Sequence, residues 1–240
     1  MYGLGTVINA TAIVFGGLIG LLCGKFIKER FKDTLGKACG VCIIILGIAG
    51  ALEQAFTVSE NGALVSGGSL LLVCCLTLGG FIGELLNIEA GFERFGEWLK
   101  RKTGNAKDGS FVSGFVTASL TVCIGAMAIV GAVEDGVNGD VSILVTKAVL
   151  DLIIIMVMAC SLGKGCLFSA LPVALWQGSI TLVSRLIAPH LSDEALSNLS
   201  LIGSVLIFCV GVNLLFGKKI KVANLLPGVF LAVGAAFLPF

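Results

Sequence analysis

The 240-residue chain is 57% hydrophobic and only 13% charged, with 33 glycines and a formal net charge of +1. A water-soluble domain carries about 25% charged residues and interrupts its apolar runs at helical or strand periodicity, so the unbroken runs here exclude one. Nor does any stripe of basic residues offer nucleic acid a surface.

A helix needs about 20 apolar residues to cross the hydrocarbon core. Runs of that length between charge clusters predict eight spans, at residues 3–23, 38–56, 63–87, 110–133, 141–161, 164–187, 198–216 and 222–240. The third opens in Ser66, Gly67, Gly68 and Ser69 and ends near Glu84, and the sixth contains Pro172, Gln177 and Gly178. If either is re-entrant, the count falls to seven. Pro172 removes a backbone donor and Gly178 weakens the next turn, which predicts a kink in the sixth span. The fold class expected is all-α: one polytopic transmembrane helical bundle over residues 1–240.

Alternate loops differ in charge. Lys25 to Lys37, Arg94 to Lys107, Lys164 and Lys218 to Lys221 place 14 of the 16 basic residues on one side, while Glu53, Glu60, Glu134, Asp135, Asp140, Asp193 and Glu194 lie on the other. Positively charged loops stay in the cytoplasm, which places both termini outside. The segments near 24–37 and 88–109 carry Phe26, Phe31 and Leu35, then Phe92, Phe95 and Leu99, at helical intervals. They read as amphipathic segments lying at the inner interface.

"GGLIG" at Gly16 to Gly20 recurs as "GGFIG" at Gly79 to Gly83, and "GVCIIILGIAGAL" from Gly40 is echoed by "GSVLIFCVGVNLL" from Gly203. The second pair falls on oppositely directed spans, the pattern of an internal inverted repeat. Faces rich in glycine invite close helix contact, either between two copies in a homodimer or within one subunit.

The fifth span sets Lys147 and Asp151 one turn apart among eleven Ile, Leu and Val residues. Each charge near a bilayer centre costs about 2.5 to 3.5 kcal/mol, so neither faces lipid. They are a self-neutralised ion pair or part of a path for an ion or solute. Gln177 is the candidate ligand at the expected kink. Thr117 and Thr121 lie on a fourth span rich in small and hydroxylated residues, and Asn9 and Asn213 sit inside the first and seventh spans. The bland reading of all five is helix packing and interhelical hydrogen bonding. The "EDGVNGD" loop clusters Glu134, Asp135 and Asp140 without the spacing of a calcium loop, and reads first as a solvated turn.

Nine cysteines, an odd number, lie in or at the ends of apolar stretches and read as small hydrophobes. The CxxC of Cys39 and Cys42 lacks the strand and helix context of a redox motif. The single histidine, His190, has no second metal ligand at a recognisable spacing. No enzyme, metal or cofactor is expected; the partners expected are the bilayer and a small solute or ion.

The segments "GTVINATAIVFGGLIG", "FVSGFVTASLTVCIGAMAIVGAVEDGVNGD" leading into "LVTKAVLD", "FSALPVALWQGSITL" and "KIKVANLLPG" together resemble the bacterial membrane proteins of domain-of-unknown-function family 554. The resemblance covers essentially the whole chain. It implies a multi-pass protein of the bacterial cytoplasmic membrane and lends no reaction. The residues themselves point to a permease or channel for a small solute or ion; the alternative is a non-transporting scaffold or accessory subunit whose polar residues fasten helices together.

Overall fold

A computed structural model describes residues 2–58, 64–188 and 192–237. His190 and Glu60 lie outside the described residues. The elements in order are α1 (Leu4–Phe26), α2 (Glu29–Ala55), a hairpin of β1 (Phe56–Val58) and β2 (Leu64–Ser66), α3 (Ser69–Leu86), α4 (Ile88–Lys102), α5 (Phe111–Cys123), α6 (Ala126–Val137), α7 (Ser142–Leu162), a 3-10 helix (Lys164–Ser169), α8 (Ala170–Ile187), α9 (Asp193–Phe216), α10 (Val222–Leu225) and α11 (Pro227–Ala235). The protein is an all-α polytopic bundle. Among the described residues six helical segments are long and apolar enough to cross a membrane, and α5 with α6 makes a seventh, bent by 62°.

The last of the eight expected segments is described only as far as residue 237 and is shorter than these spans. Residues 222–235 form a shorter apolar stretch broken between α10 and α11. It runs antiparallel to α3, with Asn224 against Gly83 and Gly228 against Gly79 and Cys75. The third segment also begins later than expected, since residues 64–66 are the second hairpin strand, paired Phe56 to Ser66.

The kink expected in the sixth segment is in the fourth instead. Pro172 is the third residue of α8, where its missing N–H would have no intrahelical partner anyway, and the helix continues through Gln177 and Gly178 to Ile187. The fourth segment breaks after Cys123: Ile124 is extended and Gly125 takes φ 141 and ψ 148, a conformation open only to glycine without strain. The bent pair still crosses the bundle. Phe111 and Gly114 at its start lie against Gly165 and Leu162, while Asp135 near its end bonds the first residues of α1.

Glycine rows set the closest helix contacts. Gly16, Gly20 and Gly24 on α1 meet the carbonyls of Leu152, Met156 and Cys160 on α7, four residues at each step on both helices, so the two run parallel. Gly47 on α2 meets the Phe208 backbone of α9 and Gly211 on α9 meets Ile44 and Gly40, an antiparallel pairing. The two echoed segments thus pack directly on one another in opposite directions. The glycines that suggested a homodimer are used inside the subunit, which removes that argument for self-association.

The segment expected to be amphipathic near 24–37 is not a separate helix: α1 ends at Phe26 and α2 begins two residues after Ile27. The segment near 88–109 does form one, α4, hinged on α3 through Asn87 in the left-handed conformation. Its apolar face buries Leu99 and sets Phe95 5.7 Å from Phe115 of α5.

Candidate functional site

A polar column runs through the contact of α1, α7 and α8. At the end beside the start of α1, Asp135, fully buried, accepts hydrogen bonds from Gly3 N at 3.1 Å and Gly5 N at 2.9 Å. The carboxylate satisfies amides that every helix start leaves free, and its charge complements the positive end of α1. One turn further in, the hydroxyls of Thr6 and Thr181 are 3.5 Å apart. Below them Asn9 Nδ2 donates to Gln177 Oε1 at 3.2 Å, and Asn9 also interacts with the carboxylate of Asp151.

Lys147 and Asp151 complete the column. They are 6% and 4% exposed, and Lys147 Nζ lies 2.5 Å from Asp151 Oδ2. The ammonium makes a second bond, at 2.9 Å, to the carbonyl of Val122. That carbonyl belongs to the last turn of α5, where the break leaves acceptors without helical donors. A cation at a helix C-terminus is favourable, so Lys147 caps the half-helix while Asp151 neutralises it. Three buried polar atoms have no partner among the described residues: Asn9 Oδ1, Gln177 Nε2 and Ser119 Oγ. Two of the three belong to the column, which therefore keeps one acceptor and one donor free.

Of the residues singled out in the sequence, Asn9, Lys147, Asp151 and Gln177 come together. Thr121 does not join them by a bond; its hydroxyl donates to Thr117 O on its own helix at 2.8 Å. Thr117 and Asn213 lie elsewhere, beside a cavity of about 320 Å³ at the basic end. There Asn213 holds the chain beyond α9, accepting from Lys219 N and Ile220 N at 2.9 Å each and donating to Ile220 O at 2.7 Å. The acidic loop does not act as one cluster either: besides buried Asp135, Glu134 accepts from Asn138 and Asp140 caps Ser142 at the start of α7.

Residue patterns had not revealed Val122 as a ligand, Asp135 as a cap, or Glu89. Glu89 is 5% exposed, accepts from Ala223 N at 3.0 Å, and pairs with Lys218 at 2.9 Å; Lys218 also contacts Glu93. This latch ties α4 to the loop between α9 and α10. Burial pulls the Lys218 pKa down, but the hydrogen bonds it donates to Glu93 and Glu89 and their charges outweigh it and raise it overall. A raised lysine pKa stabilises fully below the unfolded value and is lost as pH rises through the folded one. The melting-temperature gap between wild type and Lys218→Met is therefore expected to hold constant up to about pH 10 and close only above it. A gap that closed between pH 6 and 8 would remove the latch.

Family comparison fits this architecture. The family model described as "Protein of unknown function (DUF554)" matches residues 4–237. The chain belongs to that family. Over 227 residues it is 32% identical to the Bacillus subtilis (strain 168) "Uncharacterized membrane protein YdfK", covering 95% of this chain and 93% of that one. It is 26% identical over 234 residues to the Escherichia coli (strain K12) "Uncharacterized protein YqgA", covering 96% and 94%. No solved structure matches the chain. In this DUF554 protein the matched region takes in the whole polar column, the break in the fourth span and the Lys218 latch.

Proposed function

We propose that the protein is a small permease or channel for a solute or ion, set in a bacterial cytoplasmic membrane with both termini outside. One observation carries the reading: a span broken at Gly125, with the freed Val122 carbonyl bound by a buried lysine. Non-helical backbone at membrane depth is tolerated where it is buried in protein or lines a cavity, and half-helix ends are where secondary transporters hold polar cargo. The adjoining free donor on Gln177 and free acceptor on Asn9 supply hydrogen-bonding capacity that a passing molecule can use.

The second reading, a membrane scaffold, draws on the same bond. Lys147 and Asp151 satisfy each other, and a lysine cap on α5 holds the bundle together whether or not anything passes. Purified protein in liposomes separates the two. Flux of at least one solute in a panel of cations, protons and small neutral and anionic organic molecules is expected, and no flux under any gradient would leave the scaffold.

Orientation follows from charge, with 14 of 16 basic residues at one end. Reporter fusions are expected to read cytoplasmic at Gly104 and external at Asn138. Two cytoplasmic readings would overturn the topology.

A further inference from the structure

Two cavities lie in series along α5. The first, about 320 Å³, opens at the basic end between α5 and α9 and is lined by Ser113, Thr117, Asn213, Glu93 and Lys218. The second, about 270 Å³, lies at the break and is lined by Cys123, Gly125, Trp176, Gly203 and Phe230. Leu120 lines both and is itself only 4% exposed. Cys123, which lines the second cavity, follows directly on Val122, whose carbonyl binds Lys147 at 2.9 Å, so the cavity and the ion pair meet at the end of α5.

Resting on the permease reading, we propose that cargo enters from the basic end through these cavities, that Leu120 is the gate between them, and that the cargo is a small molecule without net charge. The change of lining assigns the charge class. The outer cavity offers hydroxyls, an amide, and Lys218 paired with Glu89 and Glu93, on which a hydrated polar molecule can exchange its water. The inner one is almost wholly apolar, and Lys147 and Asp151, at the same end of α5, already neutralise each other. A bare ion there would lose its hydration with no counter-charge to replace it, a penalty that a neutral molecule escapes. Both chambers are at or below the small end of ordinary ligand pockets, so the cargo is compact.

Cysteine labelling in membrane vesicles, read residue by residue by peptide mass spectrometry, tests route and charge class together. Thr117→Cys reports on the outer cavity. Gly203→Cys reports on the inner one, where a Cβ would have nothing nearer than 3.6 Å. Two methanethiosulfonates of similar size are used, the cationic trimethylammonium-ethyl and the neutral hydroxyethyl compound. Thr117→Cys is expected to react with the cationic reagent from the face carrying Lys218. Gly203→Cys is expected to react with the neutral reagent about tenfold faster when Leu120→Ala is added, and slowly with the cationic one in either background. Melting temperature certifies that the double variant is folded, and Leu120→Val replaces it if not. Labelling of Thr117→Cys only from the opposite face, or a Gly203→Cys rate indifferent to residue 120, overturns the route. Equal rates for the two reagents at residue 203 overturn the charge class. Solute flux with labelling indifferent to residue 120 would reject the gate and keep the permease; gated labelling without any flux would reject the permease alone.

Discussion

Asp151→Asn is expected to destabilise the fold by about 3 to 5 kcal/mol, the cost of leaving one charge of a buried pair uncompensated. The reason lies in how little else Lys147 has. Its ammonium is bonded to Asp151 and to the neutral Val122 carbonyl, and its side chain is 8% exposed. The buried geometry makes loss of stability the first effect. Removing both charges, with Lys147→Met and Asp151→Leu together, is expected to cost less than the single change, because no ion is then stranded and only the Val122 carbonyl loses its partner. Melting curves in a mild detergent check both.

The second large effect belongs to the glycine row of α1. Gly20→Ala would put a methyl group on top of the Met156 carbonyl oxygen of α7. Overpacking costs about 1 to 3 kcal/mol where side chains can yield, and a backbone carbonyl cannot yield without parting the two helices. We expect about 3 kcal/mol or more. Gly178→Ala is the control, since nothing lies within 4 Å of its added Cβ. A methyl there only restricts the unfolded chain and favours helix, and is expected to stabilise by about 0.4 to 1 kcal/mol. If both glycines respond alike, close approach of α1 and α7 is not what Gly20 provides.

These two sites also mark how far residues alone could be read. The spans were legible because apolar length between charge clusters is set by the bilayer itself. The Lys147 and Asp151 pair was legible because i and i+4 share a helix face. Asn9 and Gln177, by contrast, stand 168 positions apart. Each could be placed within a span, but their meeting depends on how α1 packs against α8, which periodicity does not encode. The break at Gly125 was hidden for another reason. Glycine in an apolar segment most often means close packing, as it does at Gly20, and only the backbone conformation separates that use from a broken helix. Pro172 drew the kink to the wrong span because its effect depends on its distance from the helix start, and α8 begins only at Ala170. Asp135 was read as part of a solvated turn, and Glu89 was not singled out, for a similar reason: whether such a residue faces water or caps a neighbouring segment is decided by tertiary contact.

The central claim is that the broken span and its ion pair form a working site rather than a fastening. Flux in proteoliposomes from the wild type and from the Lys147→Met, Asp151→Leu double variant, with the melting temperature of each measured on the same preparation, tests it most directly. Solute flux is expected for the wild type and none for the double variant, although the double variant melts higher than Asp151→Asn. A double variant that carries solute at the wild-type rate, or a wild type that carries none, would contradict it.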